Sequence, residues 1–363
     1  MLLKSSSFNV DTIIYDLEDS VQDNQTATRL ALKNLDRFLH GNLQEPPPPF
    51  PAVKELAIRI PSTTTPQNYF SPFRNFQTFL SPPERVPNPS HRRNHLSFVI
   101  PKIRSAFDVE LVVRAVGRIF PVNRSQVSLI LLIENAAAVQ NIGEITALAK
   151  DSEGLINGLI FGAEDFAADV GMTRSESLGE FAYARSAIVT AAAAAGIPSV
   201  IDLVTLEHTG DNQDLAKLER EATNGRALGF TGKQVIHPNQ VPVVQGAFSP
   251  SRNLINWATD VVKGWENAKF DDKGGSFSLG GQMMDRPMVS RARNILEHAV
   301  LCGIDIASLR GSSSTTSHVS SKSSAPDEDQ RTSGEHELAQ EKKSASPDED
   351  KANGEAQTGE LGQ

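Results

Sequence analysis

The chain has 363 residues, of which 39% are hydrophobic, and its 44 acidic and 35 basic side chains give a net charge of −9. The acidic balance and the lack of a basic patch argue against nucleic-acid binding. Cys302 is the only cysteine, so the sequence excludes an intrachain disulfide and a metal site made of several thiolates. Since no apolar run is long enough to span a membrane and no secretory signal is visible, we expect no membrane partner.

Short runs rich in valine, isoleucine and leucine recur along the chain, and each leads to a polar side chain. Segments long enough for a helix separate the runs, a pattern that predicts parallel strands buried on both faces. The runs, with the polar residues that follow or end them, are 11–16 (Glu18 and Asp19), 55–58 (Arg59), 96–101 (Lys102), 127–133 (Glu134), 155–161 (Asp165), 197–201 (Asp202) and 230–236 (His237).

Helical patterns lie between these runs, at 106–120, 137–150, 178–195 and 212–227. The alanine block 191–195 has a high helix propensity and stops at Gly196, the residue preferred at a helix C-terminus. Alternating strands and helices predict a parallel α/β sheet. In a (β/α)8 barrel the active site lies at the carboxyl ends of the strands, so the polar residues after the runs are expected to gather there.

Two of these residues are carboxylates that follow buried strands, Glu134 and Asp165. Mg²⁺ is typically held by one or two carboxylates, with water and substrate oxygens at its other positions. The pattern therefore predicts a Mg²⁺ site. The alternative is that each acid only stabilises the N-terminus of the helix that follows its strand, where the helix dipole favours a negative charge.

Several spaced motifs in a fixed order resemble the citrate lyase beta-subunit-like family of the HpcH/HpaI aldolase superfamily, and within it the eukaryotic citramalyl-CoA lyase type. The resemblance covers roughly residues 4 to 305. The motifs are YDLEDSV (15–21), AIRIP (57–61), PKI (101–103), LLIENAAAV (131–139), GLIFGAEDFAADVG (158–171), ARSAIVTAAAAAGIPSVID (184–202), GFTGKQVIHPNQ (229–240) and GGQMMDRPMVSRARNIL (280–296).

The resemblance implies a TIM (β/α)8-type barrel that uses Mg²⁺ on acyl-CoA thioesters. The expected reaction is the retro-Claisen cleavage of a hydroxy-dicarboxyl-CoA, of the citramalyl-CoA or malyl-CoA type, to acetyl-CoA and a 2-oxo acid. Thioesterase or malate-synthase-like activity on the same site are alternatives. The resemblance also implies a homotrimer and a mitochondrial rather than cytoplasmic location.

The resemblance further assigns roles to individual residues. It implies metal ligands (Glu134, Asp165), a substrate-gripping arginine (Arg59), an acid that acts in a neighbouring subunit (Asp285), residues near the CoA-bearing ligand (Lys4, Ile236, His237) and acids that hydrogen-bond metal-bound water (Glu18, Asp19). Three alternatives stay open. Arg59 could be a structural partner of Glu18 or Asp19, Asp285 a helix-start acid and His237 a turn residue.

The chain also departs from the family pattern. The family's opening strand and most of its first helix have no counterpart before Lys4, so we expect a barrel without its first strand. Either a presequence and that strand precede this start, or the chain is a non-catalytic relative. A class II pyruvate aldolase is a further alternative, but its histidine base has no match. The expected organisation is a barrel (1–240), a C-terminal helical extension (241–309) and a disordered acidic tail (310–363).

Overall fold

A computed structural model describes residues 2–21, 25–40, 55–62, 96–121, 126–207, 211–270 and 276–307. The tail predicted at 310–363 lies outside these residues. No helix of the described part is both long and apolar enough to cross a membrane.

A parallel sheet of seven strands forms the centre of the described fold, and its strands lie side by side in chain order. The strands are β1 (Thr12–Asp16), β2 (Glu55–Arg59), β3 (Leu96–Ile100), β4 (Val127–Ile133), β5 (Ile156–Phe161), β6 (Ser199–Asp202) and β7 (Gly232–Lys233). Strands in sequential order with helical connections make this a TIM-type (β/α) barrel. The prediction of seven parallel strands before residue 240 is confirmed for the described residues.

The sheet is open between its first and last strands. Every neighbouring pair from β1–β2 to β6–β7 is hydrogen-bonded, and in the described part of the chain no pairing joins β7 back to β1. This agrees with the expected absence of one barrel strand. One consequence is visible at Ile14, which pairs in register with the buried Ala57 but remains 38% exposed.

Helices cover one face of this sheet, and the last two helices of the chain instead pack in a separate cluster. The helices are α1 (Leu2–Ser5), α2 (Gln25–His40), α3 (Ala106–Ile119), α4 (Ala136–Gln140), α5 (Ile142–Ala147), α6 (Ala163–Val170), α7 (Ala182–Ala195), α8 (Asn212–Leu228), α9 (Val241–Phe248), α10 (Arg252–Phe270) and α11 (Arg286–Leu301). Gly196 ends α7 with φ of 73°, as its sequence predicted. The helix predicted over 137–150 is instead divided at Asn141, which ends α4 and begins α5.

The two faces of the sheet have separate cores. A cluster of strand residues alone fills the concave face (Ala57, Val99, Ile130, Leu132 and Ile160), whereas strand residues of the opposite parity pack with the helices in the main core. Side chains along a strand alternate between faces. Asp16, Arg59 and Glu134 each lie two positions after a residue of the concave face, so they are directed to that face at the carboxyl end.

Asp202 does not join this group. It directly follows Ile201, which packs against the concave cluster, and its own side chain is therefore on the helix side. There it is 0% exposed and accepts hydrogen bonds from Arg185 Nε at 3.1 Å and Nη2 at 2.6 Å. The expectation that Asp202 contributes to the polar ring was wrong because residue parity, which the run alone did not reveal, directs it away.

The C-terminal segment has a hydrophobic cluster of its own. Helices α10 and α11 pack together with the antiparallel hairpin of β8 (Phe277–Leu279) and β9 (Gln282–Met284). Its buried members include Ala258, Val261, Trp265, Met284 and Val289. Helix α9 instead contributes Val244 and Phe248 to the main core. The helical extension thus has its separate core from α10 onward, and the domain boundaries remain a prediction.

Candidate active site at the carboxyl ends of the strands

Glu134 is a deeply buried acid on the concave face at the carboxyl ends, with 1% of its side chain exposed. The backbone N–H of Lys102 donates to its Oε1 at 2.6 Å, while Oε2 has no hydrogen-bond partner among the described residues. A side chain at Gly162 would be excluded, since an added Cβ would lie 2.6 Å from Glu134 Cβ. Burial raises the pKa of Glu134 to about 8, and the nearby Asp165 acts in the same direction.

Asp165 lies in the first turn of α6, close to Glu134. Burial alone would raise the pKa of Asp165, but hydrogen bonds with the Lys102 ammonium and with Glu134 lower it below its usual value. Neither acid is a helix cap. Gly162 begins α6 without a side-chain cap, and α4 is capped by Asn135, whose Oδ1 accepts from Ala138 N at 2.9 Å. The capping alternative is therefore wrong for Glu134, while Asp165 still benefits from the helix dipole.

Lys102 joins these two acids. Its Nζ lies 2.8 Å from Asp165 Oδ2 and 3.5 Å from Glu134 Oε1. Its backbone φ of 57° is in the left-handed region, which a non-glycine residue rarely occupies. Sequence reasoning placed Lys102 at the end of β3 but assigned it no role, because neither this conformation nor the double contact has a sequence signal.

Arg59, at the end of β2, is held by three acids, of which Asp16 ends β1 and Glu18 and Asp19 follow it. Its Nε and Nη2 donate to the two carboxylate oxygens of Asp16, each at 2.7 Å. Asp19 lies 2.9 Å from Nη2 and Glu18 3.4 Å from Nη1. The partnership with Glu18 and Asp19 that was left open is thus present, and Asp16 is the closer partner. A bidentate pair of this kind fixes the orientation of the guanidinium plane.

Glu18 is a buried acid with little local compensation. Its side chain is 8% exposed, and neither carboxylate oxygen has a hydrogen-bond partner among the described residues. Burial raises the pKa of Glu18 to about 7, against the opposing charges of Arg59 and Lys102. The charge of Lys102 therefore acts on Glu18 as well as on Glu134, which indicates that these acids border one site.

The carboxylates fit a hard divalent cation. The buried, unpartnered Oε2 of Glu134 and the adjacent carboxylate of Asp165 are oxygen donors of the type that Mg²⁺ prefers. No group of three or more His, Cys, Asp or Glu residues with metal-ligand geometry occurs in the described chain. Mg²⁺ does not require one, because it usually keeps several water ligands. Glu134 and Asp165 would hold the ion, and Glu18 could accept hydrogen bonds from its water.

We expect Asp16→Asn to reduce activity by about tenfold to a hundredfold, because Arg59 would lose its bidentate charge partner and its fixed orientation. The reduction would be measured by comparing the activities of the purified wild type and variant. The control is Glu110→Gln, which breaks only the exposed pair with Arg114. The Arg59 contacts hold the pKa of Asp16 at about 2, despite burial. The wild-type pair thus stabilises the fold above about pH 4 and loses this effect as the pH falls towards 2. Unchanged activity in Asp16→Asn would contradict the assigned role.

Ile236 and His237 lie on the loop after β7, also at the carboxyl end. Ile236 is 57% exposed. His237 caps the short 3-10 turn Pro238–Gln240, where its Nδ1 accepts from Asn239 N at 3.4 Å. The buried Gln240 shapes this loop, since its Oε1 accepts from the backbone N–H of Ile236 at 2.9 Å and of His237 at 3.2 Å. The turn alternative for His237 is therefore correct, and ligand contact by Ile236 and His237 remains a prediction.

Asp285 and Lys4 take no part in the contacts described above. Asp285 is the N-cap of α11, where its Oδ1 accepts from Met288 N at 3.2 Å with Pro287 in the first turn. The helix-start alternative is thus satisfied, and action in a neighbouring subunit remains a prediction. Lys4 is exposed in α1, which precedes the amino end of β1, and its proximity to a ligand also remains a prediction.

Comparison with known proteins gives the family. Residues 91–238 match the profile of HpcH/HpaI aldolase/citrate lyase. The rat protein named citramalyl-CoA lyase, mitochondrial, is 32% identical over 304 residues, which are 81% of this chain and 80% of that protein. The chain belongs to the HpcH/HpaI aldolase/citrate lyase family. It is a carbon–carbon lyase by class.

Two further similar proteins extend the comparison. Human citramalyl-CoA lyase, mitochondrial, is 40% identical over 171 residues, 46% of this chain and 48% of that protein, so this match spans about half of the human protein. The crystal structure of CitE from Mycobacterium tuberculosis, in complex with magnesium, acetoacetate and coenzyme A, superposes with a TM-score of 0.57 at 25% identity. It covers 82% of this chain and 92% of CitE.

Proposed function

We propose that this lyase is Mg²⁺-dependent and cleaves the carbon–carbon bond of a hydroxy-dicarboxyl-CoA thioester, of the citramalyl-CoA or malyl-CoA type, to acetyl-CoA and a 2-oxo acid. The observation that carries the proposal is the convergence of Glu134, Asp165 and Lys102 at the carboxyl end of the sheet, beside a fixed Arg59. The names of the mammalian relatives and the ligands of CitE support the substrate class.

The reaction requires charge stabilisation at two oxygens. Loss of the hydroxyl proton and cleavage of the adjacent carbon–carbon bond convert the hydroxyl carbon into the carbonyl group of a 2-oxo acid and leave a thioester enolate. A Mg²⁺ ion held by Glu134 and Asp165 would supply Lewis-acid polarisation of substrate oxygens. Nε and Nη2 of Arg59 already donate to Asp16, so Nη1 would donate to the substrate carboxylate. The fixed charge of Arg59 would favour oxygens that become more negative during cleavage.

Two proton transfers complete the reaction. The substrate hydroxyl must lose a proton, and the enolate carbon must gain one to form the methyl group of acetyl-CoA. A positioned carboxyl can serve in either transfer. We assign this role to Asp285 of a neighbouring subunit in a homotrimer, because in its own chain Asp285 lies on the extension with the separate core. The mitochondrial names of the mammalian relatives support the same compartment for this chain.

The function is tested with citramalyl-, malyl- and methylmalyl-CoA in the presence of Mg²⁺, with the free thiol and the 2-oxo acid measured separately. A lyase releases the oxo acid without free thiol, and a thioesterase releases thiol without oxo acid. The synthase direction is tested by adding acetyl-CoA and a 2-oxo acid. We expect oxo acid release from at least one thioester. Absence of any product from the folded, Mg²⁺-loaded protein would support the non-catalytic alternative.

For Asp285 we expect that the Asp285→Asn variant loses turnover but still binds Mg²⁺, and that mixing it with inactive Glu134→Ala restores part of the activity. A mixed oligomer contains some sites in which an intact Asp285 meets an intact Glu134. Activity would be measured after subunit exchange has been verified with differently tagged chains. If verified mixed oligomers stay inactive, Asp285 acts within its own chain or outside the mechanism.

A further inference from the structure

One residue outside the assigned metal ligands contacts both of them. Lys102 reaches Glu134 through its backbone N–H at 2.6 Å, and its ammonium lies 2.8 Å from Asp165 Oδ2 and 3.5 Å from Glu134 Oε1. The ammonium therefore contacts both carboxylates that would hold a divalent ion. With its backbone in the left-handed region, Lys102 donates its N–H to Glu134 and places its ammonium beside both Glu134 and Asp165.

The two contacts differ in how readily they can be broken. The backbone N–H of Lys102 donates to Glu134, whose side chain is 1% exposed. This contact does not depend on the rotamer of the Lys102 side chain. The ammonium contact joins a lysine that is 39% exposed to an aspartate that is 47% exposed. Solvent-exposed ion pairs contribute little, because water screens them and ordering the side chains is unfavourable. The ammonium can thus leave while the backbone contact stays.

We propose that the Lys102 ammonium is an exchangeable internal cation, which holds Glu134 and Asp165 together without metal and is displaced when Mg²⁺ binds. This inference rests on the proposed metal site. In the absence of any cation, two adjacent carboxylates repel each other. The Lys102 ammonium offsets this repulsion between the two carboxylates. When Mg²⁺ binds, the ammonium must leave the acids, and it then remains near the ion as a like charge. Both effects make Lys102 a residue that lowers the affinity for Mg²⁺.

The test is to titrate each full-length variant with Mg²⁺ alone and to measure Kd by isothermal titration calorimetry at fixed pH and low salt. Lys102→Met removes the charge but keeps a long apolar stem, whereas Lys102→Arg keeps the charge. We expect Lys102→Met to bind Mg²⁺ about twofold to fivefold more tightly than the wild type, which corresponds to the free energy of one exposed ion pair. Lys102→Arg should bind no more tightly than the wild type. Lys263→Met, on the exposed face of α10, is the matched control for net charge and should leave Kd unchanged.

A second measurement separates exchange from a merely structural role. Without metal, Lys102→Met should have a lower Tm than the wild type, because the two acids then lose the cation that contacts both of them. Saturating Mg²⁺ should raise the Tm of this variant by more than it raises that of the wild type. If Lys102→Met binds Mg²⁺ as weakly as the wild type or more weakly, or gains no extra stabilisation from the ion, the exchange proposal is wrong.

The outcomes also separate this proposal from the metal site on which it rests. Glu134→Gln serves as the reference for that site. Wild-type binding that is lost in Glu134→Gln, together with unchanged binding in Lys102→Met, would overturn only the role of Lys102. A wild type that binds no Mg²⁺, or an equal affinity in Glu134→Gln, would overturn the metal site and the exchange together.

Discussion

Glu134→Gln and Asp165→Asn are each expected to lower kcat/KM for thioester cleavage by about a hundredfold to a thousandfold or more, the usual effect of removing a group that stabilises developing charge. The glutamine keeps the shape of Glu134 and can still accept the Lys102 N–H. Loss of activity would therefore report the missing negative charge rather than a disturbed fold. Steady-state kinetics at saturating Mg²⁺, paired with Mg²⁺ titrations, would measure both consequences.

The matched control is Asp169→Asn, which alters a carboxylate one turn further along α6. Asp169 Oδ2 accepts from Ala136 N at 2.8 Å, and an amide oxygen can do the same, so this variant should remain near wild-type activity. The double variant Glu134→Gln with Asp165→Asn should be little worse than either single one, because the two acids act as a unit. Wild-type rates in both single variants would show that these acids are not metal ligands.

Asp202→Asn is expected to destabilise the protein by about 3 to 5 kcal/mol, because it leaves the Arg185 charge buried without its partner. Arg185 is 2% exposed, its Nη1 donates to Asn224 Oδ1 at 2.7 Å, and its guanidinium lies over the Phe230 ring. These contacts fix the arginine, so it cannot easily reach water. Chemical denaturation would give the loss directly, and Tm should fall by roughly 10 °C.

The double variant Arg185→Met with Asp202→Asn should recover part of this stability, since no charge then remains buried at that position. Glu110→Gln, at the exposed pair with Arg114, should change the free energy of unfolding by less than about 0.5 kcal/mol. A variant Asp202→Asn that is as stable as the wild type would show that Arg185 relaxes to solvent or finds another acceptor.

The fold was predictable to the extent that burial leaves a continuous signal in the chain. Strand β4 (Val127–Ile133) is buried at every position, so its run of apolar residues marks it directly. Helix α3 is equally visible, because Ser105 and Asp108 form a capping box at its start. The open sheet was inferred from the family resemblance and could not be read from apolar periodicity, since that pattern does not show which strands pair.

The site was predictable only in part. Glu134 and Asp165 follow buried strands and could be selected for that reason. The same pattern selected Asp202, because the position of a polar residue after a run does not show which face it occupies. Asp16 looked like part of a strand, and its pairing with Arg59 depends on the register that places Asp16 opposite Arg59. Lys102 was missed because a left-handed backbone at a lysine has no sequence signature.

The separate core of the C-terminal segment bears on how the protein loses structure. Elements that share few buried contacts with the rest of a chain tend to open as their own cooperative unit, below the free energy of global unfolding. Trp265, Met284 and Val289 pack with one another rather than into the barrel core. The backbone amides of α11 can therefore exchange with solvent through a local opening that leaves Glu134 and its strand intact. In the proposed oligomer, such an opening would move Asp285 away from the neighbouring site while the residues proposed to hold Mg²⁺ keep their positions.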